Sequence, residues 1–138
     1  MNTAREVMTG GAECVRTDQT AADAARQMTD LGVGALPICG DDNKIKGVVT
    51  DRDLVVKVLG QGRNPGSFPA GDLNQQEAVT AGADDSVDQV LSTMTAHQVR
   101  RLPVIDQQRL VGMIAVADLA RALPDAKIGE LVDILSAD

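Results

Sequence analysis

The sequence predicts an α/β (α+β) fold: two β-α-β-β-α repeats packed sheet to sheet about a pseudo-twofold axis. Three observations carry that reading. The chain matches itself at a fixed offset, the matched segments alternate helix-spaced and strand-like apolar patterns, and one copy alone is too small to bury its sheet. At an offset of 66 residues Val7 meets Leu73, Asp18 meets Asp84, Thr20 meets Ser86, Met28 meets Met94, and Pro37 meets Pro103. One residue then drops out of the second copy, and at an offset of 65 Gly47 meets Gly112 and Asp53 meets Asp118. A turn between two strands tolerates such a deletion.

Taken in order, each copy gives the same elements. Thr20-Ala21-Ala22-Asp23 and Ser86-Val87-Asp88-Gln89 are capping-box helix starts. Behind them Ala21, Ala24, Ala25 and Met28, or Val87, Val90, Leu91 and Met94, recur at helical spacing. A short apolar strand follows, GALPIC at 34–39 or RLPVI at 101–105, then a polar turn. The second strand is IKGVVT or LVGMIA. The second helix rests on Leu54, Val55, Val58 and Leu59, or on Leu119, Ala120 and Leu123, with Gly60 as a stop for the first.

The predicted organisation is a first repeat over 1–60, a Gly/Pro-rich linker with entry to the second repeat over 61–77, a second repeat over 78–124, and a C-terminal helix and tail over 125–138. That last helix places Ile128, Leu131, Val132 and Leu135 on one face. At about 55–60 residues one repeat cannot bury the apolar face of its sheet alone, so two sheets share one core, with clefts between the copies.

Composition narrows the function. One Phe, no Trp and no Tyr leave an aliphatic core and no stacking platform for single-stranded nucleic acid. A net charge of −7 without a basic run argues against nucleic acid and against an anionic membrane surface. The start, MNTAREV, has no signal-peptide pattern, and no apolar run approaches the roughly 18 residues of a membrane span. The expected compartment is the cytoplasm. No nucleophile–base pair or Walker-type loop is evident, so the chain does not read as an enzyme. Two cysteines without a CxxC and one histidine make no zinc site within the chain, and no metal is expected.

The chemistry concentrates in one phrase written twice, GVVTDRD at 47–53 and GMIAVAD at 112–118. Thr50-x-x-Asp53 reads as a capping box and equally as a ligand-holding pair, and the two readings are compatible. Ala115 offers no hydroxyl, yet Asp118 persists, which a cap explains less well than a retained ligand contact. Unequal sites are expected, the first better equipped.

AREVMT, LGVGALPI, HQVRRLPVID and the two G-h-h-x-x-x-D phrases together resemble the tandem CBS-domain, or Bateman, module over residues 4 to about 123. The resemblance implies a non-catalytic regulatory or stress-associated module for an adenosine-containing ligand such as AMP, ADP, ATP or S-adenosylmethionine, bound between the repeats. It implies that Asp53 and Asp118 hold ribose hydroxyls and that Thr50 contacts ribose or phosphate. Val33, Gly34, Ala35 and Leu36 would border the base, with Arg100 and Arg101 as phosphate candidates. It also implies a homodimer. The alternative is an interaction or stress protein with a degenerate cleft, redox-controlled through Cys14 and Cys39.

Those cysteines read either as two small buried thiols or as a disulfide within the first repeat, worth about 3 kcal/mol by loop entropy. Other residues have plain readings beside the functional ones. His97 is a surface residue or a phosphate or metal contact. Arg52 forms a solvated ion pair with its acidic neighbours. Arg100 and Arg101 alternate on a strand, so only one of them faces a given side.

Overall fold

The structure, a computed structural model, describes residues 2–74 and 78–136. In chain order the first elements are α1 (Ala4–Val7), β1 (Thr9–Gly10), β2 (Val15–Arg16) and α2 (Ala21–Leu31). Next come β3 (Ala35–Cys39), β4 (Ile45–Thr50) and α3 (Asp51–Asp53), which continues as a π-helical stretch, Leu54–Val58, and a 3-10 turn, Leu59–Gln61. After a short 3-10 turn at Ala70–Asp72 follow β5 (Ala81–Gly82), α4 (Val87–His97), β6 (Arg101–Asp106), β7 (Arg109–Ala115), α5 (Val116–Ala122) and α6 (Ile128–Ser136). The chain forms two compact units, Glu13–Ala78 and Met1–Ala12 with Val79–Asp138.

The Glu13–Ala78 unit holds a three-stranded sheet ordered β2-β3-β4, with β2 parallel and β4 antiparallel to β3. Leu36 and Ile38 of β3, Val49 of β4, Ala21, Ala24 and Met28 of α2, and Val58 form its core. The helix α2 starts because Thr20 caps it: Asp23 N–H donates to Thr20 Oγ1 at 3.1 Å, and Thr20 N–H donates to Asp23 Oδ2 at 3.0 Å. Gly32, at φ 68, ends it in the left-handed region that glycine enters without a Cβ penalty.

The other unit repeats this plan with a four-stranded sheet ordered β1-β7-β6-β5. Here Ser86 caps α4, with Gln89 returning the second bond at 2.7 Å, and Val87, Val90, Leu91 and Met94 are all buried. The lost residue lies in the β-hairpin. Cys39 pairs with Ile45 across five residues, whereas Ile105 pairs with Leu110 across four. Both ladders shift register at the same place, between Ile38 and Cys39 and between Val104 and Ile105.

The compact units do not coincide with the sequence repeats, because each takes in the opening segment of the other repeat. Ala4 is fully buried in the unit that begins at Val79, and β1 pairs with β7. Its counterpart Ala70, with Leu73, is fully buried in the Glu13–Ala78 unit. The stretch 61–74 begins in the 3-10 turn Leu59–Gln61 and contains a second one at Ala70–Asp72, and Ala70 and Leu73 anchor it to a core. Residues 75–77 of the predicted linker lie outside the described residues.

The glycine of each phrase makes that exchange sterically possible. A Cβ on Gly112 would stand 2.6 Å from Thr9 O and 2.7 Å from Met8 Sδ. A Cβ on Gly47 would stand 3.1 Å from Asn74 O.

Four expectations on the helices are corrected, one on a helix end and three on helix faces. The helix after Thr50 runs through Gly60 and stops at Gly62, at φ 71, where Arg63 N–H donates to Val58 O at 3.0 Å. Along it Val58 is buried but Val55 and Leu59 are exposed, because π winding, with Leu59 N–H reaching Leu54 O, turns residues off a 3.6-residue stripe. In α6 the buried pair is Leu131 and Ile134, and Val132 and Leu135 face outward; the side chain of Ile128 lies outside the described ones. Ala25 and Ala120, also expected inward, are exposed, since small residues flank the buried stripes at little cost.

Candidate functional site

Each phrase forms a strand-to-helix junction. In the first, Thr50 ends β4 in extended conformation, and its Oγ1 accepts Asp53 N–H at 3.2 Å. Asp53 Oδ2 in turn accepts Thr50 N–H at 2.9 Å. The neighbouring strand completes the junction, since Ala35 pairs with Thr50 and Gly34 O accepts Asp51 N–H at 2.9 Å. The Asp51 carboxylate lies against Gly34, 3.1 Å from where a Cβ would stand. Val33 is 44% exposed beside this group.

Thr50, Asp53, Gly34 and Ala35 therefore come together, with Val33 at their margin. Leu36 does not join them. Strand alternation turns it into the core of the Glu13–Ala78 unit, so it is a packing residue rather than a base contact.

A residue the sequence reading passed over completes the first junction. Lys57 Nζ lies 3.4 Å from Asp53 Oδ1 and donates to Leu73 O at 2.7 Å. Its signal was the acid–base spacing of four along a helix.

At the second junction Ala115 N–H donates to Asp118 Oδ2 at 2.8 Å, while Ala115 returns no side-chain bond. Arg121, also passed over, forms an ion pair with Asp118 Oδ1. Asp118, 6% exposed, is the buried charged residue of the described chain. Its retention therefore has a structural cause, half a capping box plus an ion pair, which weakens the expectation that a ligand contact explains it better. In parallel with the first junction, Arg101 pairs with Ala115, and Arg100 O accepts Val116 N–H at 3.0 Å.

The two arginines diverge: Arg101 opens β6, whereas Arg100 precedes it, outside the strand. Arg100 Nη2 donates to Leu135 O at 3.0 Å, near the carbonyl end of α6, where the helix dipole favours a cation. Arg101 is exposed, with no side-chain partner among the described residues, and keeps its candidacy for an anion. His97 is an exposed residue at the end of α4. Arg52 forms no ion pair among the described residues; its backbone N–H donates to Asp51 Oδ1 at 2.9 Å.

Cys14 and Cys39 are joined as a disulfide, with Cα atoms 5.6 Å apart. The bridge ties the entry of β2 to the end of β3, at the opposite end of that strand from Ala35 and Thr50. A cavity of about 260 Å³, lined by Asn2, Ser86, Val87 and Pro124 among others, holds none of the candidate residues.

The sequence matches the family model of the CBS domain twice, over residues 4–60 and 70–125. It is 44% identical to Hypoxic response protein 1 of Mycobacterium tuberculosis over 132 residues, covering 96% of this chain and 92% of that protein. The fold is similar to a crystal structure of Hypoxic Response Protein I with two coordinated zinc ions, at a TM-score of 0.82 and 45% identity over 89% of this chain and 100% of that one. It is similar in fold to CBSX2, solved in complex with AMP, at a TM-score of 0.74 and 23% identity over 88% and 96% of the two chains.

Proposed function

The chain belongs to the CBS-domain family, with two copies of the domain, and on that premise we propose that it is a non-catalytic regulatory protein. It takes an adenosine-containing ligand, of the AMP, ADP, ATP or S-adenosylmethionine class, at its strand-to-helix junctions. The observation that carries the reading is the first junction. There a hydroxyl and a carboxylate are held by a reciprocal cap, on the strand end that pairs with Ala35. Asp53 and Thr50 hold the ribose, Val33, Gly34 and Ala35 border the base, and Arg101 meets phosphate at the weaker second junction with Asp118.

AMP is the first probe, since a protein of this fold has been solved with it. Thermal shift with AMP, ADP, ATP, NAD and S-adenosylmethionine tests the reading. A ligand at 100 times its Kd adds about 2.7 kcal/mol, a visible rise in Tm. Asp53→Ala should weaken that ligand more than Asp118→Ala. An unmoved Tm with every compound at millimolar concentration removes the sensor reading, and the reverse order of the two variants removes the ranking of the sites.

A second reading is favoured by the disulfide: a stress-associated interaction protein, redox-controlled through Cys14 and Cys39. The relation to Hypoxic response protein 1 suits it. Among the described residues no group of three or more His, Cys, Asp or Glu is placed to hold a metal, and both cysteines are in the disulfide. We place the protein in the cytoplasm as a homodimer; among the described residues no helix is long and apolar enough to cross a membrane.

A further inference from the structure

We propose that Lys57 is a positioning residue that sets the orientation of the Asp53 carboxylate for a ribose diol; the inference rests on the nucleotide reading of the first junction. A carboxylate offers about four lone-pair sites, two on each oxygen. Thr50 N–H occupies one on Oδ2, at 2.9 Å, and Lys57 Nζ approaches one on Oδ1, at 3.4 Å. One acceptor site then remains on each oxygen, which matches the two adjacent hydroxyls of a ribose. The Lys57 ammonium is itself fixed from behind, because it donates to Leu73 O at 2.7 Å and Leu73 is fully buried. The carboxylate is thus held at both oxygens, by backbone on one side and by an anchored cation on the other.

The second junction lacks this device. The residue matching Lys57 is Ala122, and Asp118 is held instead by Arg121, one position earlier. Arg121 is a largely exposed side chain with no further anchor among the described residues. The inequality of the junctions therefore extends beyond the hydroxyl of Thr50 to the way each acid is aimed.

Isothermal titration with AMP tests this on four proteins and one double variant. Wild type should bind, and Asp53→Ala should lose most of the affinity. Lys57→Met should weaken AMP about five- to tenfold, the scale on which one contacting side chain influences another. Lys57→Arg, which retains a cation able to reach both partners, should restore binding to within about twofold. In the Asp53→Ala background Lys57→Met should add nothing, as expected of a residue that acts through Asp53.

Unchanged AMP affinity in Lys57→Met overturns the inference while leaving the nucleotide reading in place. Equal losses with and without Asp53 also overturn it, because Lys57 would then touch the ligand itself or act through the fold. Absence of AMP binding by the wild type removes the nucleotide reading of this junction and the inference with it. Should Lys57→Met fail to fold, Lys57→Gln carries the same comparison.

Discussion

Thr50 and Ala115 occupy the same N-cap position and differ by one hydroxyl, so they measure what that group contributes to folding. Thr50 Oγ1 accepts Asp53 N–H, and in the second copy Asp118 N–H has no such acceptor from residue 115. Thr50→Ala should destabilise by about 1 kcal/mol and Ala115→Thr should stabilise by up to a similar amount, both read from urea midpoints at constant m. An Ala115→Thr variant that gains AMP affinity as well as stability would show that the cap and the ligand site share the hydroxyl. Acid stability is also set by single residues. The Thr20 backbone bond, and then its hydroxyl, hold the Asp23 carboxyl below the ordinary 3.8, and the Lys44 N–H, then Lys46, do the same for Asp42. Because the folded acids bind protons less readily than the unfolded ones, their stabilisation is full above the ordinary value. It disappears as pH falls through the lower folded values. Asp23→Asn should therefore lower stability at pH 7 and flatten the acid limb of a pH–denaturation series; an unchanged limb would remove the cap as a cause.

At the scale of elements, the glycines beneath the exchanged segments and the hairpin turns decide the geometry. Gly112→Ala places a Cβ 2.6 Å from the Thr9 carbonyl, so β1 must shift, at a cost of about 1–3 kcal/mol. Gly47→Ala meets Asn74 O at 3.1 Å and should cost less; thermal melts of the two variants give the order, and equal melts would deny the close approach. The β6–β7 hairpin turns on Gln107 and Gln108 at φ 51 and 69, positive values that favour Asn-Gly. Gln107→Asn with Gln108→Gly should raise stability by about 1 kcal/mol in the same assay. Sequence patterns exposed most of these elements, because caps, strand alternation and the repeat are local signals. The capped helices and both hairpins match the expectation. The π winding after Asp53 was not legible, since Leu54, Val55, Val58 and Leu59 fit an ordinary helix, and only packing distinguishes Val58 from its exposed neighbours. Nor was the place of Ala4 and Ala70, whose burial depends on a strand distant in sequence. At the junctions, residue identity indicated Thr50 and Asp53, but not that Leu36 turns to the core or that Lys57 reaches a carbonyl sixteen residues away.

On the scale of the whole molecule, the two repeats are unequally secured. The Glu13–Ala78 unit has a two-residue β2 at its sheet edge and the disulfide that pins it, while the second copy has Thr80 and Ile105 at the matching positions. It also carries the exposed apolar residues Leu31, Val33, Val55, Val56 and Leu59, where α2 packs beside the helix after Asp53. If the proposed homodimer uses this patch, Val55→Asp with Leu59→Asp should yield monomer by light scattering, and an unchanged mass would place the contact elsewhere. The disulfide closes a loop with a sequence separation of 25, and its loss should remove about 3 kcal/mol. Because the bond lies in one unit, that loss should be uneven. Reductant, or Cys14→Ser with Cys39→Ser, should speed amide exchange across β2, β3 and α2 far more than across β6, β7 and α4. A uniform change over both units would mean that they unfold as one cooperative body. Protection confined to neither would mean that the bridge contributes little. Only the uneven outcome gives redox state a means of loosening one repeat, the one that holds Thr50 and Asp53, while the other stays folded.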